Sequence, residues 1–213
     1  MTRPRILLAD DHRMVAEALK SLLEEEFELL AVVEDGRQLV DTARRVRPDV
    51  IVADITMPHL NGIDALTQLK RDDPNVRVVF LTMHKDAAYA RRALEAGACG
   101  YVLKHSAPAE LVLAVRAALE GKTFITPTLA GEVFRDMKAS PTRPTNPTAS
   151  LTPRQREILQ LFAEGFSTKE IGSRLDISPR TVEFHKYQLM DSLKLQSSAE
   201  LIHFAIKNGI VAV

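Results

Sequence analysis

The residues best placed to do chemistry stand at the ends of short apolar runs. Ile6–Ala9 runs into Asp10 and Asp11, and Val50–Ala53 runs into Asp54. A hydroxyl, Thr82, follows Val76–Leu81, and an ammonium, Lys104, follows Tyr101–Leu103. Each run is short and rich in β-branched residues, which reads as a strand. Ligands of open parallel sheets gather at the carboxyl ends of the strands, so these five side chains should converge on one pocket. Three carboxylates packed together repel one another and raise each other's pKa. A divalent cation relieves the repulsion, and a few oxygen ligands suit Mg²⁺, which keeps several of its waters. With two acids on the metal, the remaining carboxylate can act as a nucleophile on a phosphoryl group. Lys104 and the metal would offset charge on the phosphoryl oxygens, and Thr82 could donate a hydrogen bond. Taken singly, Asp10 and Asp11 could merely cap the first helix, and Asp54 could be a turn acid before Pro58. Five such residues at the ends of four strands outweigh that plain reading.

The elements that must position them alternate. Leu29–Val33 supplies one further strand. Met14–Leu23 places Val15, Ala18, Leu19, Leu22 and Leu23 at helical spacing, and Gln38–Val46, Ile63–Leu69, Ala87–Ala96 and Ala109–Leu119 behave similarly. Five strands alternating with five helices predict an α/β fold, a doubly wound five-stranded parallel sheet with right-handed crossovers. Leu129–Met137 reads as one more short helix after Gly121. Beyond it, residues 138–150 carry Pro141, Pro144 and Pro147 among Thr, Ser and Asn, which predicts a semi-extended linker. The expected organisation is a first domain at 1–122, a linker with a short helix at 123–150, and a second domain at 151–213.

Bulk properties exclude more than they assign. Among 213 residues, 46% are hydrophobic and 26% charged, so each part can bury a core. The net charge is zero, so nucleic-acid binding must be argued from local pattern. A single cysteine, Cys99, permits no internal disulfide, reads as a small buried hydrophobe, and fits a reducing compartment. No 18-residue apolar stretch and no signal-peptide core is present, which predicts a cytoplasmic protein with no membrane role. Gly121-Lys122-Thr123 resembles the tail of a phosphate-binding loop, but Arg116 stands where that loop needs glycine. The six histidines form no closely spaced ligand pair.

The second part is helical. Thr152-Pro153-Arg154-Gln155, Ser167-Thr168-Lys169-Glu170 and Ser197-Ser198-Ala199-Glu200 read as capping boxes, and Ser178-Pro179 starts another helix. Thr168–Leu175, a turn at 176–178 and Pro179–Lys194 have the spacing of a helix-turn-helix. Val182, Leu189 and Leu193 mark the inner stripe of the second helix, with His185 near its edge. Opposite lie Arg180, Glu183, Phe184, Tyr187, Asp191 and Lys194, with Thr181 and Lys186 toward the margins. A merely solvated face should not carry two aromatics, so this face meets something. Eight Lys/Arg against seven Asp/Glu, a net of +1 over 151–213, is modest for DNA. A small protein-interaction module is the alternative, which would make the chain a phosphorylation-independent adaptor.

Two sets of motifs carry a resemblance. Leu8-Ala9-Asp10-Asp11-His12, Ala53-Asp54-Ile55-Thr56-Met57-Pro58, Leu81-Thr82-Met83-His84 and Gly100-Tyr101-Val102-Leu103-Lys104 resemble the signature of the receiver domain, a flavodoxin-like fold. Leu151–Leu159, Ile171–Leu175 and Ile177–His185 resemble the LuxR-type DNA-binding domain. Together they resemble response regulators of the NarL/FixJ family. The resemblance implies Asp54 as phospho-acceptor, Asp10 and Asp11 as metal acids, and the backbone carbonyl of Thr56 as a further ligand of Mg²⁺. It implies Thr82 and Tyr101 as a switch pair in which the hydroxyl moves to the phosphoryl group and the ring turns inward. His84 falls where receivers tune dephosphorylation. A sensor histidine kinase, double-stranded promoter DNA and a phosphorylation-dependent homodimer are the implied partners. The receiver is implied to assist only its own phosphorylation and dephosphorylation rather than to be an enzyme in the usual sense. One departure is Ser192-Leu193-Lys194, where the family more often has Lys-Leu-Gly. A phosphatase of the halo-acid type would need an acid where Thr56 stands.

Overall fold

The computed structural model describes residues 3–138 and 151–211. They fall into two compact units, an α/β unit followed by an all-helical one.

The first unit follows the predicted alternation: β1 (Arg5–Ala9), α1 (Arg13–Glu24), β2 (Glu28–Val33), α2 (Gly36–Val46), β3 (Val50–Ala53), α3 (Gly62–Asp72), β4 (Val78–Thr82), α4 (Ala87–Glu95), β5 (Gly100–Leu103) and α5 (Ala107–Leu119). The strands are all parallel, in the order β2-β1-β3-β4-β5-β6. Every residue of β3, β4 and β5 is buried, because helices cover both faces of such a sheet. That is why these strands read as unbroken apolar runs. Ile6, Leu8, Val50, Val52, Val79, Leu81 and Val102 share one core with Leu19 and Leu23 of α1 and Leu111 and Val115 of α5. The chain reverses its direction of winding between β1 and β3, which puts a crevice at their carboxyl ends.

The sheet has six strands rather than five. The sixth, β6 (Phe124–Ile125), pairs with Gly100 and Tyr101, and two residues are too few to show a period. It lies in the stretch expected as linker, as does α6 (Pro127–Lys138), which lies against α4 and buries Leu129 and Val133. Thr126, fully buried, joins the two. Its amide donates to Tyr101 O at 2.9 Å, and its hydroxyl accepts from Leu103 N at 3.0 Å and donates to Glu110 Oε2 at 2.6 Å. The proline-rich residues 139–150 lie outside the described residues.

The second unit comprises α7 (Pro153–Ala163), α8 (Thr168–Leu175), α9 (Pro179–Ser192) and α10 (Ser198–Lys207) around Ile158, Leu161, Ile171, Val182, Leu189 and Leu201. The capping boxes at Thr152/Gln155 and Ser167/Glu170 are both closed. The third box is only half formed. Ser197 accepts from Glu200 N, but the Glu200 carboxylate accepts from Gln196 N at 2.7 Å instead of the cap amide. Asp176, left-handed at φ 52°, ends α8, and Ser178 caps α9. Gly172 makes the turn tight, since a Cβ there would lie 2.8 Å from Ile177 O. Helix α9 stops at Ser192, not Lys194. Lys194 has φ 56°, and Leu195 N closes the end by donating to Met190 O at 2.8 Å.

Candidate functional site

Neighbouring strand ends bring the acids together. Ala9 and Ala53 are in register on β1 and β3, and Asp54 N donates to Ala9 O at 2.9 Å. Asp10 and Asp54 are both buried. Lys104, just past β5, sits between them, with Nζ 2.7 Å from Asp10 Oδ2 and 2.6 Å from Asp54 Oδ2. The expected crowding of three bare carboxylates is therefore already eased by the lysine. Burial still holds the Asp54 carboxyl above its ordinary pKa, opposed by Lys104 and assisted by the charge on Asp10. Burial pulls the Lys104 ammonium down, but Asp54 and Asp10 outweigh it and hold its pKa above the usual lysine value. The geometry is that of a cation held between two acids, with burial making Asp54 harder to ionise than an ordinary carboxyl.

Asp11 stands at the rim, partly exposed. Oxygens of Asp10, Asp11 and Asp54 and a ring nitrogen of His12 all lie within 4.8 Å of one another. An acid-rich donor set of that span fits a divalent cation. Asp10 and Asp11 lie just before α1, where His12 is the N-cap and its amide donates to Asp10 Oδ1 at 2.9 Å.

The neighbours of Asp54 form a second layer. Thr56 N donates to Asp54 Oδ1 at 3.2 Å, and Thr56 Oγ1 lies 2.7 Å from His84 Nε2. Thr82 is fully buried, and its hydroxyl accepts from His84 N at 3.3 Å. The Tyr101 ring, expected to turn inward on switching, is already fully buried, with its hydroxyl donating to His84 O at 2.9 Å. Burial pushes the Tyr101 phenol well above its ordinary pKa, so it stays a donor. His84 stacks on Tyr89 at 4.2 Å, and burial lowers its pKa. Thr56, Thr82 and Tyr101 thus all meet at His84. Beneath Asp54, Gly62 N donates to Ile55 O at 2.7 Å, and a Cβ at Gly62 would overlap the Asp54 carbonyl oxygen.

In the second unit, Phe184 and Tyr187 stand out from α9 with 58% and 66% of their surface exposed, beside an exposed Arg180. The other expected contact residues are arranged differently. Glu183 is half-buried and accepts from Thr168 Oγ1 at 2.6 Å, tying α9 to the start of α8. Lys186 turns back over the Phe162 ring at 5.2 Å. Thr181 N and Oγ1 both bond Ser178 Oγ, so that side chain braces the cap. Lys194 lies beyond the helix end. His185, at the edge of the inner stripe, has a buried Nδ1 without a hydrogen-bond partner among the described residues.

Comparison with known proteins joins the two units. Residues 6–116 match the family described as "Response regulator receiver domain", and residues 149–205 match "Bacterial regulatory proteins, luxR family". The chain is a response regulator of the NarL/FixJ type. The regulator is 33% identical to oxygen regulatory protein NreC of Staphylococcus epidermidis, over 97% of this chain and 99% of that one. It is 32% identical to the transcriptional regulatory protein DegU of Brevibacillus brevis, over 98% and 95% of the two chains. Its structure resembles RcsB of Salmonella enterica serovar Typhimurium bound to a promoter in the presence of the phosphomimetic BeF₃⁻. That similarity has a TM-score of 0.60 and 28% identity over 95% of this chain and 98% of RcsB. The regulator combines a receiver with a LuxR-type DNA-binding domain and acts in two-component transcriptional control. Among its described residues, no helix is long and apolar enough to cross a membrane.

Proposed function

We propose that Asp54 of this response regulator accepts a phosphoryl group from a sensor histidine kinase in the cytoplasm, and that the modification controls binding of the LuxR-type domain to promoter DNA. The observation that carries the reading is the buried Asp54 carboxylate at the end of β3, with Lys104 on one oxygen and the Thr56 amide on the other. In the transfer, an Asp54 oxygen bonds to phosphorus as the bond to the donor's leaving atom breaks. Lys104 offsets negative charge on the phosphoryl oxygens, and the Thr82 hydroxyl, which accepts from the His84 amide, donates its own hydrogen to one of them. Asp10, Asp11, Asp54 and the backbone carbonyl of Thr56 would hold Mg²⁺, which when bound neutralises further charge on those oxygens. Burial supports the acceptor role because it withholds water from the acyl phosphate formed.

The DNA-binding domain would present α9 to the major groove. Phe184, Tyr187 and Arg180 face outward, Phe184 suited to a thymine methyl and Arg180 to a guanine or a phosphate. Thr181, Glu183, Lys186 and Lys194 border that face, with Glu183 set against Thr168. A net charge of +1 makes one domain a weak binder, which favours a phosphorylation-dependent homodimer on a repeated half-site.

Intact-mass measurement after exposure to a small acyl phosphate and Mg²⁺ tests the acceptor. Wild type gains one phosphoryl group and Asp54→Asn gains none, whereas equal uptake by the variant overturns the assignment. Mobility shifts on promoter DNA, with and without phosphorylation, test the control. Phe184→Ala should cost about 1–3 kcal/mol on the best site and relax preference at one base pair. Unchanged base preference would mean that this face does not read DNA.

A further inference from the structure

The acids of the receiver have a non-acid neighbour that the oxygen-only ligand set leaves out. The imidazole of His12 is 64% exposed, on the rim of the pocket, with Nδ1 2.8 Å from Asp11 Oδ1 and 3.4 Å from Asp10 Oδ1. It lies within the same 4.8 Å span as the carboxylate oxygens of Asp10, Asp11 and Asp54. The His12 amide also donates to Asp10 Oδ1 at 2.9 Å, which holds the backbone of this residue against the acids. Lys104 takes Oδ2 of both Asp10 and Asp54, whereas His12 approaches Oδ1 of Asp10 and of Asp11, so the oxygens left for a cation are those nearest the histidine.

We propose that His12 is a nitrogen ligand of this cation site and sets its selectivity, so that the site takes borderline first-row divalent ions, such as Mn²⁺, Co²⁺ and Ni²⁺, in preference to Mg²⁺. The inference rests on the reading of the acidic cluster as a divalent-cation site. The chemistry is that of ligand type: carboxylate and water satisfy Mg²⁺, while a neutral imidazole adds affinity along the series from Mn²⁺ to Ni²⁺ and almost none for Mg²⁺. A second role is open to the same geometry. His12 could stay outside the coordination sphere and orient Asp11 through the 2.8 Å contact, as partners of metal-bound carboxylates often do. The two roles differ in what they do to different ions. An orienting histidine serves every cation alike, and a ligand histidine serves only those that accept nitrogen.

The experiment uses the full chain and three proteins: wild type, His12→Asn and Asp11→Asn. Asparagine keeps a hydrogen-bond donor for Asp11 and a good helix N-cap but removes the basic ring nitrogen. Calorimetric titration with Ni²⁺ and Mg²⁺ is read as a ratio of affinities, and Mn²⁺ is examined by pulsed electron paramagnetic resonance for coupling to ¹⁴N. The expected result for His12→Asn is a loss of about tenfold or more in Ni²⁺ affinity with Mg²⁺ affinity unchanged within about twofold, and loss of the ¹⁴N coupling seen in wild type. Asp11→Asn should weaken both ions. Equal loss for Ni²⁺ and Mg²⁺ in His12→Asn, or a wild-type Mn²⁺ spectrum without nitrogen coupling, overturns the proposal and leaves His12 as the orienting group. Failure of every ion to bind wild type overturns it too, and would take the cation-site reading with it. Normal Mg²⁺ binding with no dependence of Ni²⁺ on His12 removes only the role of the histidine.

Discussion

The receiver hides its chemistry, whereas the DNA-binding domain displays its own. Asp10, Asp54 and Lys104 are drawn inside the fold, where each charge needs a partner within hydrogen-bond reach and finds one. Phe184 and Tyr187 stand largely in solvent on α9. A buried charge is expensive unless paired, so its geometry is fixed before any ligand arrives. An exposed aromatic face costs little to form and gains its meaning from the partner. The first arrangement suits covalent chemistry at one atom, and the second suits a surface whose specificity can vary from one regulator to another.

One glycine in each domain tests how tightly those two designs are held. Gly62→Ala should be the most damaging change, because the new Cβ would overlap the backbone carbonyl of Asp54 and crowd the Phe80 ring. It should destabilise the receiver by about 3 kcal/mol and impair phosphoryl uptake. Gly172→Ala meets Ile177 O at 2.8 Å and Pro179 N at 3.3 Å, a milder crowding of the helix-turn-helix. About 1–2 kcal/mol should be lost there, with the receiver untouched. Chemical denaturation followed with separate probes for each domain measures both. If Gly172→Ala proves the costlier, the turn rather than the acidic centre is the more rigid element.

A smaller effect comes from charge. Because burial holds the Asp54 pKa above its ordinary value, the folded receiver favours the protonated form. That contribution is fully present below the ordinary carboxylate range of about pH 4 and is lost as pH rises through the raised value. Ionised Asp54 therefore costs stability near neutrality. Asp54→Asn should raise the melting temperature of the receiver by a few degrees near pH 7, and the gain should shrink as the pH is lowered. Scanning calorimetry over that range decides it. A variant less stable than wild type at neutral pH would show that the Lys104 pair outweighs the burial of the acid. The smallest expected change is Gly131→Ala in α6. A Cβ there meets nothing within 4 Å, so the helix should gain about 0.5–1 kcal/mol.

The acidic centre was legible in the sequence because strand ends are. Four apolar runs ended in residues that could do chemistry, and a parallel sheet can gather such ends at only one edge. The same logic failed for β6, since Phe124 and Ile125 are too few to show a period and join the sheet only by pairing with Gly100 and Tyr101. On α9 the helical wheel separated inside from outside correctly for Val182, Leu189, Phe184 and Tyr187. It could not foresee that Glu183 would accept from Thr168, fifteen residues away, because a wheel contains no second helix. Lys194 was assigned to the helix since nothing in Ser192-Leu193-Lys194 signals a stop, yet it adopts the left-handed conformation more often given to glycine. No second histidine stands near His12 in the sequence, so only the fold shows its ring beside the two acids that precede it.

Thr126 makes β5 and α6 a single mechanical piece. Its amide and hydroxyl are fastened to Tyr101 and Leu103, directly before Lys104, while its carbonyl accepts from Leu129 N and Ala130 N and so begins the next helix. Farther along, Asp136 of α6 is tied to Arg91 of α4 at 3.1 Å. The start of α6 is thereby tied directly to the strand that carries Lys104. Pinned at its base to β5 and along its length to α4, α6 takes its orientation from both elements at once.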